Sequence, residues 1–212
     1  PTLATIGILD DEEDFEDGVG LETKHMWNTS DDAAAESFRT IRTVLVMGTE
    51  DSERIAVTSA EPGDGKTTIS SNLAIAYQQA GKRVLIIDAD MRKPGLTKLI
   101  DRRGQVGLSD ILRGTEEVTE QASRLATQTG SVPIDIIPAG RRPPNPGELL
   151  LGDRFAELLA WADGEYDQVI VDAPPVLAGT DAAAVGRLCD GLMLVVRPEK
   201  NRRRVLIKAV ET

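Results

Sequence analysis

Ile55-Ala56-Val57-Thr58-Ser59 runs directly into Ala60-Glu61-Pro62-Gly63-Asp64-Gly65-Lys66-Thr67-Thr68, and this stretch decides the fold. The first five residues read as a short apolar strand. Lys66 to Ala80 reads as a helix with Leu73, Ala76 and Tyr77 on one side, stopped by Gly81. A Gly-rich turn between a strand and a helix, ending in Gly-Lys-Thr, is the phosphate-binding (Walker A) pattern, here with alanine in the first glycine position. The chemistry needs these residue types. Gly63 and Gly65 let backbone N–H groups turn inward around an anion, and the helix N-terminus brings about half a positive charge to the same place. Lys66 supplies a full charge for β- and γ-phosphates, and the Thr67 hydroxyl is a magnesium ligand by type. Pro62, Asp64 and Thr68 complete the loop expected around the nucleotide. The bland alternative, a Gly-rich turn without chemistry, is disfavoured by the strand–helix context.

Working outward, Val84–Ile87 reads as a second strand, Ile134–Ile137 as a third, Val169–Val171 as a fourth and Leu192–Val196 as a fifth. Between them, helices are expected at Ala33–Met47, behind the capping residues Ser30-Asp31-Asp32, at Leu108–Leu112 before Gly114, and at Glu148–Ala162 after a proline-rich loop over 140–147. Short, continuously apolar strands alternating with helices indicate an α/β fold, P-loop NTPase-like, with a mostly parallel central sheet and helices on both faces. In such a sheet the C-terminal strand ends share one edge, where ligands bind. Asp88 ends the second strand, Asp90 follows two residues later and Asp172 ends the fourth. Thr67, Asp88, Asp90 and Asp172 are therefore expected to converge as a magnesium site. That ion keeps several waters and takes one or two carboxylates plus phosphate oxygens. The competing reading for each aspartate is a turn or cap residue, strongest for Asp90.

Composition narrows the classes. The 212 residues (22.8 kDa, 41% apolar) make one domain or one domain with a tail. Seven aromatic residues are too few for a stacking platform on single-stranded nucleic acid, so no nucleic-acid partner is expected. A single cysteine, Cys189, and a single histidine, His25, exclude an internal disulfide, a Cys-built zinc site and multi-histidine metal sites. No apolar run is long enough to span a bilayer, and none reads as a signal peptide. A start at Pro1 suggests a fragment or a processed product. Residues 1–32 carry ten acids against one base, Lys24, within a chain of formal net charge −11. They read as a solvated acidic arm or linker, with a DNA-mimic or partner-binding role as the alternative, and 33–212 as the P-loop domain. Arg202, Arg203 and Arg204 form a basic triplet, read either as a solvated helix start or as a contact to an anionic partner or membrane surface.

The motifs together resemble the bacterial protein-tyrosine kinases of the Walker type (BY-kinases), cytoplasmic kinase domains that regulate capsular and exopolysaccharide synthesis. The resemblance runs from about residue 30 to 200. Ala60–Thr68 resembles their Walker A, Ile86-Ile87-Asp88-Ala89-Asp90-Met91-Arg92 their Walker A′, and Ile170-Val171-Asp172-Ala173-Pro174-Pro175 their Walker B. Asn145-Pro146-Gly147-Glu148-Leu149-Leu150 resembles a family stretch, and Glu36, Arg39 and Arg42 stand at the spacing of the family's oligomerisation motif. The resemblance implies an ATP- and Mg2+-dependent kinase in which a tyrosine hydroxyl attacks the γ-phosphate. It implies Lys66 on the phosphates, and Asp88 as general base or water-mediated magnesium ligand. It also implies Asp90 and Asp172 about the metal, and Arg92 steadying the loop or the phosphates. Arg197 is placed near the nucleobase by position only. The implied partners are further copies of the chain in a ring, a transmembrane chain-length regulator domain fused upstream, and tyrosine-bearing substrates. The implied location is the cytoplasmic face of the plasma membrane.

Glu36, Arg39 and Arg42 also share an arc of about 120° at 3.6 residues per turn, with Phe38, Ile41, Val44 and Leu45 on the other side. The charged face reads either as exposed i,i+3 ion pairing or, by the resemblance, as a docking face for a neighbouring subunit. Two departures from the family stand out. Its tyrosine-rich tail is absent, and the only tyrosines, Tyr77 and Tyr166, read as packing residues. Partitioning ATPases of the ParA and MinD kind, the alternative reading as a nucleotide-dependent assembly switch, carry a second lysine where this chain has Glu61. A third reading is a nucleotide-binding module that controls polysaccharide assembly with little catalysis.

Overall fold

The computed structural model describes residues 33–48, 53–128, 131–198 and 200–211, together with Leu21. Its centre is a six-stranded sheet in the order β3-β4-β2-β5-β1-β6. The strands are β1 (Arg54–Ser59), β2 (Val84–Asp88), β3 (Thr127–Gln128), β4 (Asp135–Ile137), β5 (Gln168–Asp172) and β6 (Gly191–Val195). All neighbours pair parallel except the two-residue edge strand β3, which runs antiparallel to β4.

Apolar runs in the central strands face two ways because side chains alternate along a strand. Leu85, Ile87, Val169 and Val171 join one core, while Val84, Ile86, Ile55, Val57 and Ile170 join the other. Helices cover both faces, as the continuous apolar strands require. On the second face lie α1 (Ala33–Gly48) and α2 (Lys66–Gln79), with Phe38, Ile41, Leu73 and Tyr77 buried, and beside them α3 (Gly95–Leu99), with Leu96. On the first lie α4 (Leu108–Arg113), α5 (Val118–Leu125), α6 (Pro146–Leu151), α7 (Asp153–Glu165) and α8 (Asp181–Gly186). A 3-10 turn (Val176–Ala178) and α9 (Arg203–Glu211) close the flank beside β6. Each of the larger buried side chains contributes about 1.5–3 kcal/mol of transfer free energy.

The structure corrects several expectations. The helix expected over 148–162 is two helices, because Gly152 takes an extended backbone (φ −76°, ψ 157°) and interrupts the ladder. Ile134 precedes β4 rather than belonging to it. Val44, expected on the packed side of α1, is 39% exposed, and Leu45 only half-buried. Arg42 does not share an outward face with Glu36. Its Nη1 donates to the Ala76 carbonyl at 2.6 Å, tying α1 to α2, while Arg39 pairs with Glu36 at 3.1 Å. Most of the acidic arm lies outside the described residues. Leu21, its one described member, is fully buried with Phe38 and Ile41. Among the described residues no helix is long and apolar enough to cross a membrane.

Candidate active site

The chemistry gathers where β1, β2 and β5 end. In the sheet order β5 lies between β1 and β2, and its register sets Asp172 beside both Asp88 and Val57. Two carboxylates are thus placed on adjacent strand ends by backbone pairing alone. From β1 the chain enters the phosphate loop. There Gly63 and Gly65 take φ values of 80° and 94°, the left-handed region that disfavours side chains. The turn delivers Lys66 and Thr67 to the start of α2, pointing back at the aspartates.

Lys66 Nζ lies 3.0 Å from Asp90 Oδ2 and 3.8 Å from Asp172 Oδ1. The Thr67 hydroxyl donates to Asp172 Oδ2 at 2.6 Å. Asp88 accepts the Thr97 N–H and hydroxyl on Oδ2, each at 2.7 Å, and the Asp90 N–H on Oδ1 at 3.2 Å. All of these charged groups are buried. Burial, with the neighbouring Asp172 charge, pushes the Asp88 carboxyl up to about 7. Burial also raises Asp172, against the pull of Lys66. Burial disfavours the Lys66 ammonium, but Asp172 and Asp90 outweigh it and hold its pKa above the ordinary value. One ammonium therefore faces three carboxylates in a buried pocket, an arrangement short of positive charge.

That shortage bears on magnesium. Asp172 Oδ1 is buried without a hydrogen-bond partner among the described residues. Its sister oxygen holds the Thr67 hydroxyl, and the donor set is all oxygen, the kind a hard divalent cation takes. No group of three or more His, Cys, Asp or Glu side chains among the described residues is arranged to enclose a metal. The residues thus fit an ion held by one or two carboxylates and a hydroxyl, with water and phosphate completing the shell. Asp88 is wholly buried, and both of its oxygens already accept hydrogen bonds.

Other expected residues lie elsewhere. Arg92 forms a two-point pair with Asp181 at the start of α8 (2.8 and 3.2 Å), which engages its head. A Cβ on Gly147 would sit 2.7 Å from that same Asp181, so the Asn145–Leu150 stretch packs on the Arg92 partner. Arg197 is exposed, and its N–H donates to Asn201 Oδ1 at 2.8 Å. Asp64 contributes its backbone to the loop, but its carboxylate is buried against another network. It accepts from Lys200 Nζ at 2.7 Å, from Asn201 Nδ2 at 3.1–3.2 Å and from the Glu61 N–H at 2.8 Å. Lys200 Nζ also donates to the Pro62 carbonyl, and Asn201 Nδ2 to Glu61 Oε2 at 3.0 Å. Neither this brace nor the Thr97 cap on Asp88 carries a motif in the sequence. Gly95 makes room for the Thr67 side chain, since a Cβ there would lie 2.5 Å from its hydroxyl. Tyr77 is buried, and Tyr166 donates to Asp135 Oδ2 at 2.9 Å and packs edge-on against Trp161. Both are packing residues, as the sequence reading expects.

Residues 52–201 match the family model described as AAA domain. The chain is 43% identical over 183 residues to tyrosine-protein kinase wzc of Salmonella typhimurium, covering 85% of this chain and 24% of that protein. It is 38% identical over 179 residues to tyrosine-protein kinase YwqD of Bacillus subtilis, covering 84% of this chain and 74% of that protein. The chain belongs to the bacterial tyrosine-kinase family. Among solved structures, the kinase domain of the Escherichia coli tyrosine kinase ETK superposes with a TM-score of 0.86 at 34% identity, covering all of this chain and 84% of that one. The BY-kinase chain thus spans about a quarter of the length of the Salmonella relative and about three quarters of the Bacillus one. A MinD structure from Pyrococcus horikoshii, at 23% identity and a TM-score of 0.57, shares the fold alone, which leaves the partitioning-ATPase alternative less supported.

Proposed function

We propose that the chain is an ATP- and Mg2+-dependent protein-tyrosine kinase domain that regulates exopolysaccharide or capsule synthesis and export. The carrying observation is the charge shortage at the strand edge: Lys66 against Asp88, Asp90 and Asp172, with Thr67 already seated on Asp172. Thr67, Asp172 and Asp90 would hold the ion, with Asp88 behind its water shell. When bound, magnesium supplies the missing positive charge and neutralises the phosphates.

Lys66 and the inward N–H groups of the loop stabilise charge on the phosphates, so catalysis is mainly positioning and electrostatics. The acceptor's phenolic oxygen bonds to the γ-phosphorus and the bond to the β–γ bridging oxygen breaks. ADP leaves, and the phenolic proton passes into the carboxylate cluster. Arg197, which follows β6 and whose N–H donates to Asn201 of the brace, would flank the nucleobase.

The same reading makes α1 a docking element between copies in a ring, with Glu36 and the half-buried Arg39 at its surface. It also places an upstream transmembrane regulator domain in the intact protein, and so the kinase domain on the cytoplasmic face of the plasma membrane. Replacing Glu36 and Arg39 by alanine should shrink any assembly seen by light scattering; an unchanged size would refute the docking role. For the activity, radiolabelled ATP is incubated with the chain and a tyrosine-rich peptide. Label on tyrosine is the expected result. Release of free phosphate alone would favour a nucleotide switch of the partitioning-ATPase kind.

A further inference from the structure

A cleft of about 490 Å3 opens beside the entry to the phosphate loop. Pro62 forms one wall. Leu177 and Ala178, in the 3-10 turn a few residues beyond Asp172, form another. Arg204, Val205 and Lys208 of α9 form the third. Nothing in the chemistry above uses it. We infer that this cleft is the acceptor subsite, and that it selects a tyrosine flanked by acidic residues. The inference rests on the kinase reading and adds to it the class of substrate and the surface that reads it.

Three observations carry it. The first is position. The cleft is bordered by the two segments that deliver the catalytic groups, the loop leading to Lys66 and Thr67 and the chain leaving Asp172. An acceptor held there lies at the rim of the phosphate site. The second is lining. Pro62, Leu177, Ala178 and Val205 make a largely apolar slot within the size range of small-molecule pockets, suited to a phenol ring.

The third is charge. Arg204 and Lys208 stand four residues apart on α9 and so share one face. Arg204 belongs to a basic start to the helix (Arg202, Arg203, Arg204) that has no acid in its first turn, and Lys208 lies in its last turn. The arginines at the helix start oppose its dipole rather than satisfy it, and an incoming anionic segment relieves that cost. The acid on the opposite wall, Glu61, is engaged by Asn201 Nδ2 at 3.0 Å. The acceptor comes from another segment or chain, because Tyr77 is buried and Tyr166 is held by Asp135.

The test compares two peptides of equal length, a tyrosine flanked by glutamates and the same tyrosine flanked by lysines, as substrates of the chain with MgATP. The glutamate peptide should show a KM at least tenfold lower. In the double variant Arg204→Glu, Lys208→Glu that preference should vanish or invert through KM, while MgADP affinity by calorimetry stays within twofold. Equal KM values for the two peptides, or a preference that survives the double variant, would overturn the inference and leave the kinase reading standing. Phosphorylation of neither peptide would overturn both. Co-sedimentation with phosphatidylserine vesicles that the double variant abolishes, without any peptide preference, would give the basic face to a membrane and overturn the acceptor role.

Discussion

The phosphate loop is gripped from two sides by charged networks built to opposite specifications. Inside, Lys66 faces Asp88, Asp90 and Asp172, and the Asp172 Oδ1 atom has no hydrogen-bond partner among the described residues. Outside, the Asp64 carboxylate is matched by Lys200, Asn201 and the Glu61 N–H. Both sets include buried carboxylates, and a buried charge is costly unless paired and hydrogen-bonded. The outer network meets that condition and acts as a brace that shapes the loop. The inner one falls short by design of its strand ends, and the deficit is what a divalent cation and a polyphosphate fill. Imbalance marks the working side, balance the structural side.

The sharpest way to break this contrast is Lys66→Met. Removing the only ammonium of the inner set should lower phosphotransfer about 100- to 1,000-fold, measured as label on a tyrosine peptide. Lys200→Met should leave kcat within about threefold and act through a higher KM for ATP, with Lys200→Arg restoring it. Equal losses of kcat in the two variants would erase the distinction between the sides.

Stability should separate them by sign. Asp172→Asn removes a buried charge whose Oδ1 atom has no hydrogen-bond partner among the described residues, so without nucleotide it should raise the melting temperature by a few degrees, a gain taken at the cost of function. Lys200→Met strands the buried Asp64 carboxylate and should destabilise by about 1–2 kcal/mol, less than a fully buried pair because the Lys200 head is partly exposed. Calorimetric melting decides both, and shifts of the same sign would contradict the account.

A smaller effect comes from pH. The Asp88 carboxyl titrates near 7 in the fold, against an ordinary value of 3.8. The folded chain therefore binds the proton more tightly than the unfolded one, and raising pH from about 4 through 7 removes stability. The metal-free chain should melt at a higher temperature at pH 5.5 than at pH 8 once other groups are compared in Asp88→Asn, where this component flattens. The reverse slope would mean that Asp88 is ionised and compensated in the fold.

Much of the inner side was legible in the sequence because it is written in local patterns. Gly63, Gly65, Lys66 and Thr67 follow one strand, and Asp88 and Asp172 each end another, so parallel pairing was enough to bring them together. The outer side was not legible. Asp64 meets Lys200 and Asn201 across more than 130 residues, and no spacing rule connects them. The Thr97 cap on Asp88 and the Arg92–Asp181 pair are likewise products of tertiary packing. Helix periodicity located α1 and its buried Phe38 and Ile41, but it could not foresee that Arg42 has the reach to leave the charged arc for the Ala76 carbonyl. The split at Gly152 and the short β3 edge were missed because each rests on one or two residues whose backbone is set by neighbours.

The central claim, that the inner carboxylates lack a positive charge which magnesium supplies together with nucleotide, is tested most directly by calorimetric titration of ADP with and without Mg2+. The account predicts that omitting the ion weakens binding at least tenfold, and that Asp172→Asn removes most of this difference. Equal affinity with and without magnesium in the unaltered chain would contradict it.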